Sequence, residues 1–317
     1  MIRTYVALAA SVLAAAVLAP SAQAGAMAET TVPDLRQGPV GCPGGFAGDP
    51  ATCTEWDVCL VEDKDEPKGR CIGYFGRAQA VRLRFTTSVD NVGDGPMLLF
   101  GHRDSVDQPL MSVRQAFQVG AGGPLPKTYG EAEASTPSTA YYEPAESHHH
   151  WHLNGFDRFQ LRDHLGATAV SDRKNGFCLG DRYVTKDADD LAHTPRDTTS
   201  STGELATFLR ENYCGMHEPA ALDVTQGISV GAGDEYKYGI GYQWLDITHV
   251  PSGTYDLVHT VNEDRGLIEK DYSNNSSSIA ISIQWPPVTV DRPGPITGTP
   301  RVKLLRSCPG EAHCLGH

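Results

Sequence analysis

Val81-Arg82-Leu83-Arg84-Phe85-Thr86-Thr87-Ser88-Val89 sets apolar residues at every second position over most of its length. Successive side chains of a strand point to opposite faces, so this period of two predicts a half-buried β-strand. Asn91-Val92-Gly93-Asp94-Gly95-Pro96 follows with residues that turn a chain, and Met97-Leu98-Leu99-Phe100 opens a second strand. Near the C-terminus, Tyr255-Asp256-Leu257-Val258-His259-Thr260-Val261 and Ser278-Ile279-Ala280-Ile281-Ser282-Ile283 repeat the pattern. Long helical periodicities are scarce. The predicted fold class is mainly β, a β-sandwich core with long loops and few short helices.

The intervening sequence is less regular. Residues 120–147 are rich in Gly, Pro, Ala and Ser and read as a long loop. One short helix is predicted over 202–212, capped by Ser201 or Thr202, with Leu205, Phe208 and Leu209 on one face. From 285 to 301 the chain is Pro-rich and reads as extended. At the other end Arg3, the apolar run 6–18 and Ala22-Gln23-Ala24 have the order of a cleaved signal peptide. The expected division is 1–24 signal peptide, 25–80 disulfide-bearing N-terminal segment, 81–284 main β-sandwich domain and 285–317 Pro-rich C-terminal tail. The mature chain, roughly 290 residues, is long enough to bury a substantial core.

Export makes the cysteines readable. All eight follow the predicted cleavage point, and in an oxidising compartment an even number suggests four disulfides. Proximity suggests two among Cys42, Cys53, Cys59 and Cys71, one joining Cys178 to Cys214 and one joining Cys308 to Cys314. Cleavage removes Arg3 and no acid, which moves the net charge from −13 to −14. That balance argues against nucleic acid as a partner and suits cationic ones. No segment after residue 24 is apolar enough to span a bilayer, so the expected protein is secreted and extracellular, with no membrane partner.

Function is most legible at His148-His149-His150-Trp151-His152, which holds five consecutive residues and four of the chain's twelve histidines. In an extended strand His148, His150 and His152 share one face, and His149 and Trp151 take the other. Three imidazoles at that spacing can converge on one ion. Imidazole suits copper, zinc, iron or nickel, and three ligands leave coordination positions open.

This segment and those after it resemble the lysyl oxidase family. The histidines match that family's His-x-His-x-His copper motif. Asp172-Arg173-Lys174-Asn175-Gly176-Phe177-Cys178-Leu179 resembles the segment that carries its cofactor lysine. Gln226-Gly227-Ile228-Ser229 and Gln243-Trp244-Leu245-Asp246-Ile247-Thr248 bracket a stretch in which Tyr236 falls where the family has its cofactor tyrosine. Glu269-Lys270-Asp271-Tyr272-Ser273-Asn274-Asn275 matches Glu-x-Asp-aromatic-x-Asn-Asn, and Pro33-Asp34-Leu35 matches Pro-Asp-Leu. The resemblance runs in order from about 33 to 284 and is similar in kind to secreted bacterial members.

The resemblance implies a copper(2+) amine oxidase with a lysine tyrosylquinone cofactor made from Lys174 and Tyr236, with copper on His148, His150 and His152. Its substrates would be primary amines or lysine-containing proteins, with dioxygen as oxidant and an aldehyde, hydrogen peroxide and ammonia as products. Such a covalent carbonyl cofactor needs a neutral lysine, which burial favours. Asp34, Glu269, Asp271, Asn274 and Asn275, with the carbonyl of Leu35, offer the hard oxygens that suit a structural calcium, as the resemblance also implies. The chain departs from the pattern twice. Where members often carry a histidine after the copper motif it has Arg158, beside Asp157, and a guanidinium cannot act as a base. Where animal members have a cysteine before that motif it has Ser147. Two other readings compete: a copper- and calcium-binding adhesion-type sandwich that makes no quinone, and a zinc hydrolase using the three histidines with Glu143 or Glu146 as base. The first has no use for both Lys174 and Tyr236, and the second lacks an HExxH pattern.

Overall fold

The stretch 81–89 is two strands, not one. Ala80–Phe85 and Thr87–Asn91 belong to different sheets, and the chain changes sheet at Thr86. Thr86 donates its N–H to the Glu55 carbonyl and its hydroxyl to the Glu55 carboxylate, and its own carbonyl accepts from Gly41 N–H. These contacts make the residue a corner. Neither strand keeps a wet face. Arg82 is fully buried, lies 3.9 Å over the Trp244 ring and donates to the carbonyls of Lys64 and Glu66. An inward cation is tolerable there because its Nη2 donors and its flat face are engaged.

The computed structural model describes residues 29–45, 49–145, 148–172, 174, 176–287, 296 and 298–315. The expected signal peptide, 1–24, lies outside them. Four antiparallel sheets carry the fold, with a small extra pairing of Thr30–Thr31 against Gln118–Val119. A six-stranded sheet runs in the order Gly176–Phe177, His150–Asn154, Ala134–Glu143, Leu110–Ala116, Met97–His102, Asp223–Ile228. A five-stranded sheet runs Thr168–Ser171, Asp157–Arg162, Gly253–Val261, Ser276–Gln284, Arg301–Cys308. A four-stranded sheet joins Tyr183–Val184, Ala232–Tyr236, Thr87–Asn91 and Leu35–Gln37, and a three-stranded one joins Trp244–Asp246, Ala80–Phe85 and Trp56–Val61. The mainly β expectation holds.

Phe85, Phe159, Phe177 and Tyr236 form a file of edge-to-face rings, with successive centroids 5.3, 6.4 and 5.1 Å apart. Each ring comes from a different one of the four sheets, so the file joins them at the centre of one continuous core. Each such pair adds about 0.5–1.5 kcal/mol to the burial of its rings. The file ends at Tyr236.

Three local expectations need correction. The supposed loop 120–147 contains the ten-residue strand Ala134–Glu143. Its small and polar sequence hides it, and Pro137 sits where the register against Leu110–Ala116 slips between Ser112 and Arg114, a bulge that demands no N–H from it. The helix is Ser201–Arg210, one residue earlier than predicted, because Ser200 accepts the Gly203 N–H as its cap. Its buried face is Gly203, Ala206 and Leu209, whereas Phe208 is exposed. Past the Pro-rich run, Arg301–Cys308 is a strand at the edge of the five-stranded sheet, not extended tail. The four disulfides are Cys42–Cys53, Cys59–Cys71, Cys178–Cys214 and Cys308–Cys314, within the predicted groupings.

Candidate functional site

His148, His150 and His152 converge, but not by strand alternation alone. The strand begins at His150. His149 is left-handed at φ 53°, and His148 closes a turn onto the Ala145 carbonyl, so His148 reaches the cluster from the side. Ligand nitrogens of the three rings lie within 4.8 Å of one another, and no other triple of His, Cys, Asp or Glu among the described residues is gathered as closely. His152 Nε2 is 3.1 Å from His148 Nδ1 and 2.9 Å from His150 Nε2. Burial, then the nearby charge of Lys174, lowers all three from the ordinary histidine value, His148 to about 3 and His150 to about 4. Neutral imidazoles with facing lone pairs are a donor set for a transition metal. His152 Nδ1 lies 3.2 Å from the Tyr141 hydroxyl, which fixes the ring from behind.

The other face of the motif anchors the segment. Trp151 is fully buried, donates its N–H to the Cys214 carbonyl and its indole N–H to the Glu218 carbonyl, and packs 4.6 Å under Arg103. The His149 ring lies beside exposed His217, away from the cluster.

Lys174 is 4% exposed, and its Nζ stands 4.6 Å from the ring centroid of Tyr236 and 4.9 Å from that of Phe177. Residues 62 positions apart in sequence are thereby in contact. Gly176–Phe177 pairs with Leu153 and Asn154, so the lysine segment is laid beside the histidine strand by sheet register. A Cβ on Gly176 would stand 2.4 Å from His152 Cβ, which explains the glycine. Burial pulls Lys174 down to about 8, against the carboxylates of Asp234, Asp157, Asp172 and Glu143. The Tyr236 hydroxyl is 2.9 Å from both the Cys178 carbonyl and the Asp234 carboxylate. Burial pushes Asp234 up to about 7, and the phenol hydroxyl has that carboxylate and the Cys178 carbonyl as acceptors.

Sequence reading missed Asp234, Tyr141 and Asp172. Asp234 was recoverable, since it lies two residues before Tyr236 on one strand and so shares its face. Tyr141 pairs directly opposite His152, on the strand mistaken for a loop. Asp172, raised by burial to about 7, accepts the Phe159 N–H and the Ser171 hydroxyl. Arg158 is exposed and ion-paired with Glu263 at 2.6 Å, and Asp157 is buried against His259. Glu143 accepts from the Tyr141 hydroxyl and the Ala145 N–H. Glu146 and Ser147 lie outside the described residues.

The proposed oxygen site gathers residues from both ends of the chain. Leu35 N–H donates to Glu269 Oε2 at 2.9 Å, Asn275 Nδ2 to Glu269 Oε1 at 2.6 Å and Asn274 Nδ2 to Asp34 Oδ1 at 2.7 Å. The side-chain oxygens of Asn274 and Asn275 are buried and accept nothing among the described residues. Asp271 is exposed and spends its carboxylate on Ser273, though its charge helps raise Asp34 after burial has done so.

A mainly β, disulfide-stapled protein in which three convergent histidines face a lysine–tyrosine pair is the class these features define. Residues 198–291 match the family model for lysyl oxidase, and that window holds Tyr236 and the turn at 269–275. Lysyl oxidase homolog 2 of Gallus gallus is 30% identical over 131 residues, which are 41% of this chain and 14% of that protein. The Homo sapiens homolog 2 gives the same figures, 30% over 131 residues. Protein-lysine 6-oxidase of Gallus gallus is 32% identical over 130 residues, 40% of this chain and 24% of that protein. The match therefore spans a quarter or less of those relatives' length. Over that part of its length the chain is similar to the lysyl oxidase family.

Proposed function

We propose that this chain is a secreted copper amine oxidase that makes a lysine tyrosylquinone from Lys174 and Tyr236 and converts primary amines, free or on peptidyl lysine, to aldehydes with release of peroxide and ammonia. The observation that carries the reading is the buried Lys174 amine 4.6 Å from the Tyr236 ring, beside three convergent histidines. Neither a hydrolase nor a binding module needs that pair.

Copper(II) with dioxygen would supply the oxidation of the tyrosine ring, and the quinone would supply the electron sink for amine chemistry. The chain's own residues do the rest. His148, His150 and His152 would hold the metal and stay unprotonated, because desolvation and the Lys174 charge lower all three. Asp234 and the Cys178 carbonyl hold the Tyr236 oxygen, and Phe177 packs against the ring. Lys174 loses its proton far more readily than a surface lysine, leaving a lone pair beside the ring.

The oxygens of Asp34, Glu269, Asp271, Asn274 and Asn275, with the Leu35 carbonyl, are proposed as a structural calcium site. Both asparagines turn their NH₂ groups to the carboxylates and leave their oxygens unengaged. Reversing the amides would aim those oxygens at the carboxylates, where a cation would sit. Secretion accords with four disulfides, and no described helix is long and apolar enough to cross a membrane.

The test is peptide mass spectrometry of protein matured with copper in air. The expected result is one cross-linked species joining the Lys174 and Tyr236 peptides, absent in Lys174→Met and Tyr236→Phe. Copper-loaded wild type without the link would overturn the oxidase reading.

A further inference from the structure

Two cavities meet at Lys174. The first, about 380 Å³, is lined by Asp157, Asp172, Glu263 and Asp264 with Arg158. The second, about 430 Å³, is lined by Tyr141, Glu143, His152 and Tyr242. Only Asp172 and Lys174 line both. Lys174 makes no hydrogen bond or ion pair among the described residues, although it is 4% exposed and borders both spaces.

Four acids act on Lys174: Asp234, Asp157, Asp172 and Glu143. Of the acids that face it, Glu143, in the second cavity, accepts from the Tyr141 hydroxyl and the Ala145 N–H, and Asp157 is bonded to His259. Asp234 is bonded to Tyr236 and lies 3.7 Å from Arg182. Asp172 has a backbone N–H and a serine hydroxyl but no ion pair among the described residues. Arg158, on the same wall, is engaged by Glu263. A lysine nitrogen joined to an aromatic ring is no longer an ammonium. Cross-linking therefore removes the buried positive charge and leaves half-buried Asp172 on the cavity wall with Arg158, itself shared with Glu263, as its cation among the described residues.

We propose that Asp172 is the docking residue for substrate, taking the alkylammonium group of an incoming primary amine in the acidic cavity and so replacing the charge that Lys174 loses on maturation. This rests on the oxidase reading for its purpose, but the subsite can be tested without a quinone. A bound ammonium would lie against the same residue that borders the lysine, with exposed Asp264 on the same cavity drawing cations inward. Neutral molecules of the same length gain nothing from either.

The decisive protein is Lys174→Met, which cannot cross-link and lacks the competing charge. Binding of n-pentylamine at neutral pH, where it is an ammonium, is measured by calorimetry, with 1-pentanol as the neutral control. Pentylammonium should bind Lys174→Met at least tenfold more tightly than unmatured wild type, and pentanol should not discriminate. Adding Asp172→Asn should weaken the ammonium tenfold or more, and Asp172→Glu should restore part of it. Equal binding in the Asn variant, no preference over pentanol, or no ammonium binding at all would overturn the proposal. If Lys174→Met does not fold, tetramethylammonium, which has no N–H to react, gives the same contrast between copper-matured wild type and its Asp172→Asn variant. A missing Lys174–Tyr236 link would sink the oxidase reading and leave these titrations interpretable.

Discussion

An amine attacks a ring only after losing its proton, and at Lys174 burial lowers the pKa to about 8 while four carboxylates pull it back up. Above that value the folded protein presents a neutral amine, and below it an ammonium. The yield of linked peptide after a fixed exposure to copper should therefore rise with pH, with a midpoint near 8 and a plateau above. Mass-spectrometric quantitation at half-unit steps checks this, and a profile still climbing at pH 10 would mean that Lys174 titrates like a surface lysine. Lys174 and Tyr236, which the fold brings together, could be singled out in the sequence because each sits in a motif. The residues that hold them were not, because Asp234 and Asp172 act through contacts that no local pattern encodes.

Between elements, the spacing of the strands Gly176–Phe177 and His150–Asn154 is set by the glycine at 176. Gly176→Ala would drive a methyl into His152. We expect a loss of about 1–3 kcal/mol from overpacking. Copper affinity should fall tenfold or more as the ring is displaced. A competition titration with a chromophoric chelator reads the affinity and a melting curve the stability; unchanged affinity would show that the strand yields instead of the histidine. Elements were harder to read than motifs. The stretch 81–89 has one pattern but two strands, because the sheet change at Thr86 depends on Glu55 and Gly41. Ala134–Glu143 has no apolar alternation to show, since its partners supply most of the buried surface.

On the scale of the whole molecule, Glu269 ties the segment at Leu35 to the hairpin of Gly253–Val261 and Ser276–Gln284. Its carboxylate takes the Leu35 N–H and the amides of Asn262 and Asn275. Glu269→Ala leaves these buried donors unpaired and should destabilise by about 2–3 kcal/mol. Calcium added to chelator-treated wild type should raise the melting temperature, as any ligand of the native state does. The variant should show no rise. A calcium-insensitive wild type would leave the turn as a hydrogen-bonded clasp only. The overall class was legible because β periodicity and cysteine count are global signals. The joining of four sheets by Phe85, Phe159, Phe177 and Tyr236 was not, since each ring is an ordinary core residue in its own segment.

The Cys178–Cys214 bridge lies wholly inside the span from 174 to 236. A Lys174–Tyr236 bond would close a larger ring around it, two nested covalent loops on one stretch of chain. Closing a loop of that size removes about 4 kcal/mol worth of disorder from the denatured ensemble on the chain-entropy account. Thiol reductants would open the inner loop and leave the outer one intact. A matured molecule stripped of metal and unfolded would thus keep the pairing of Lys174 and Tyr236 as a permanent record of its first folding, and newly made and matured chains would differ in topology while sharing one sequence.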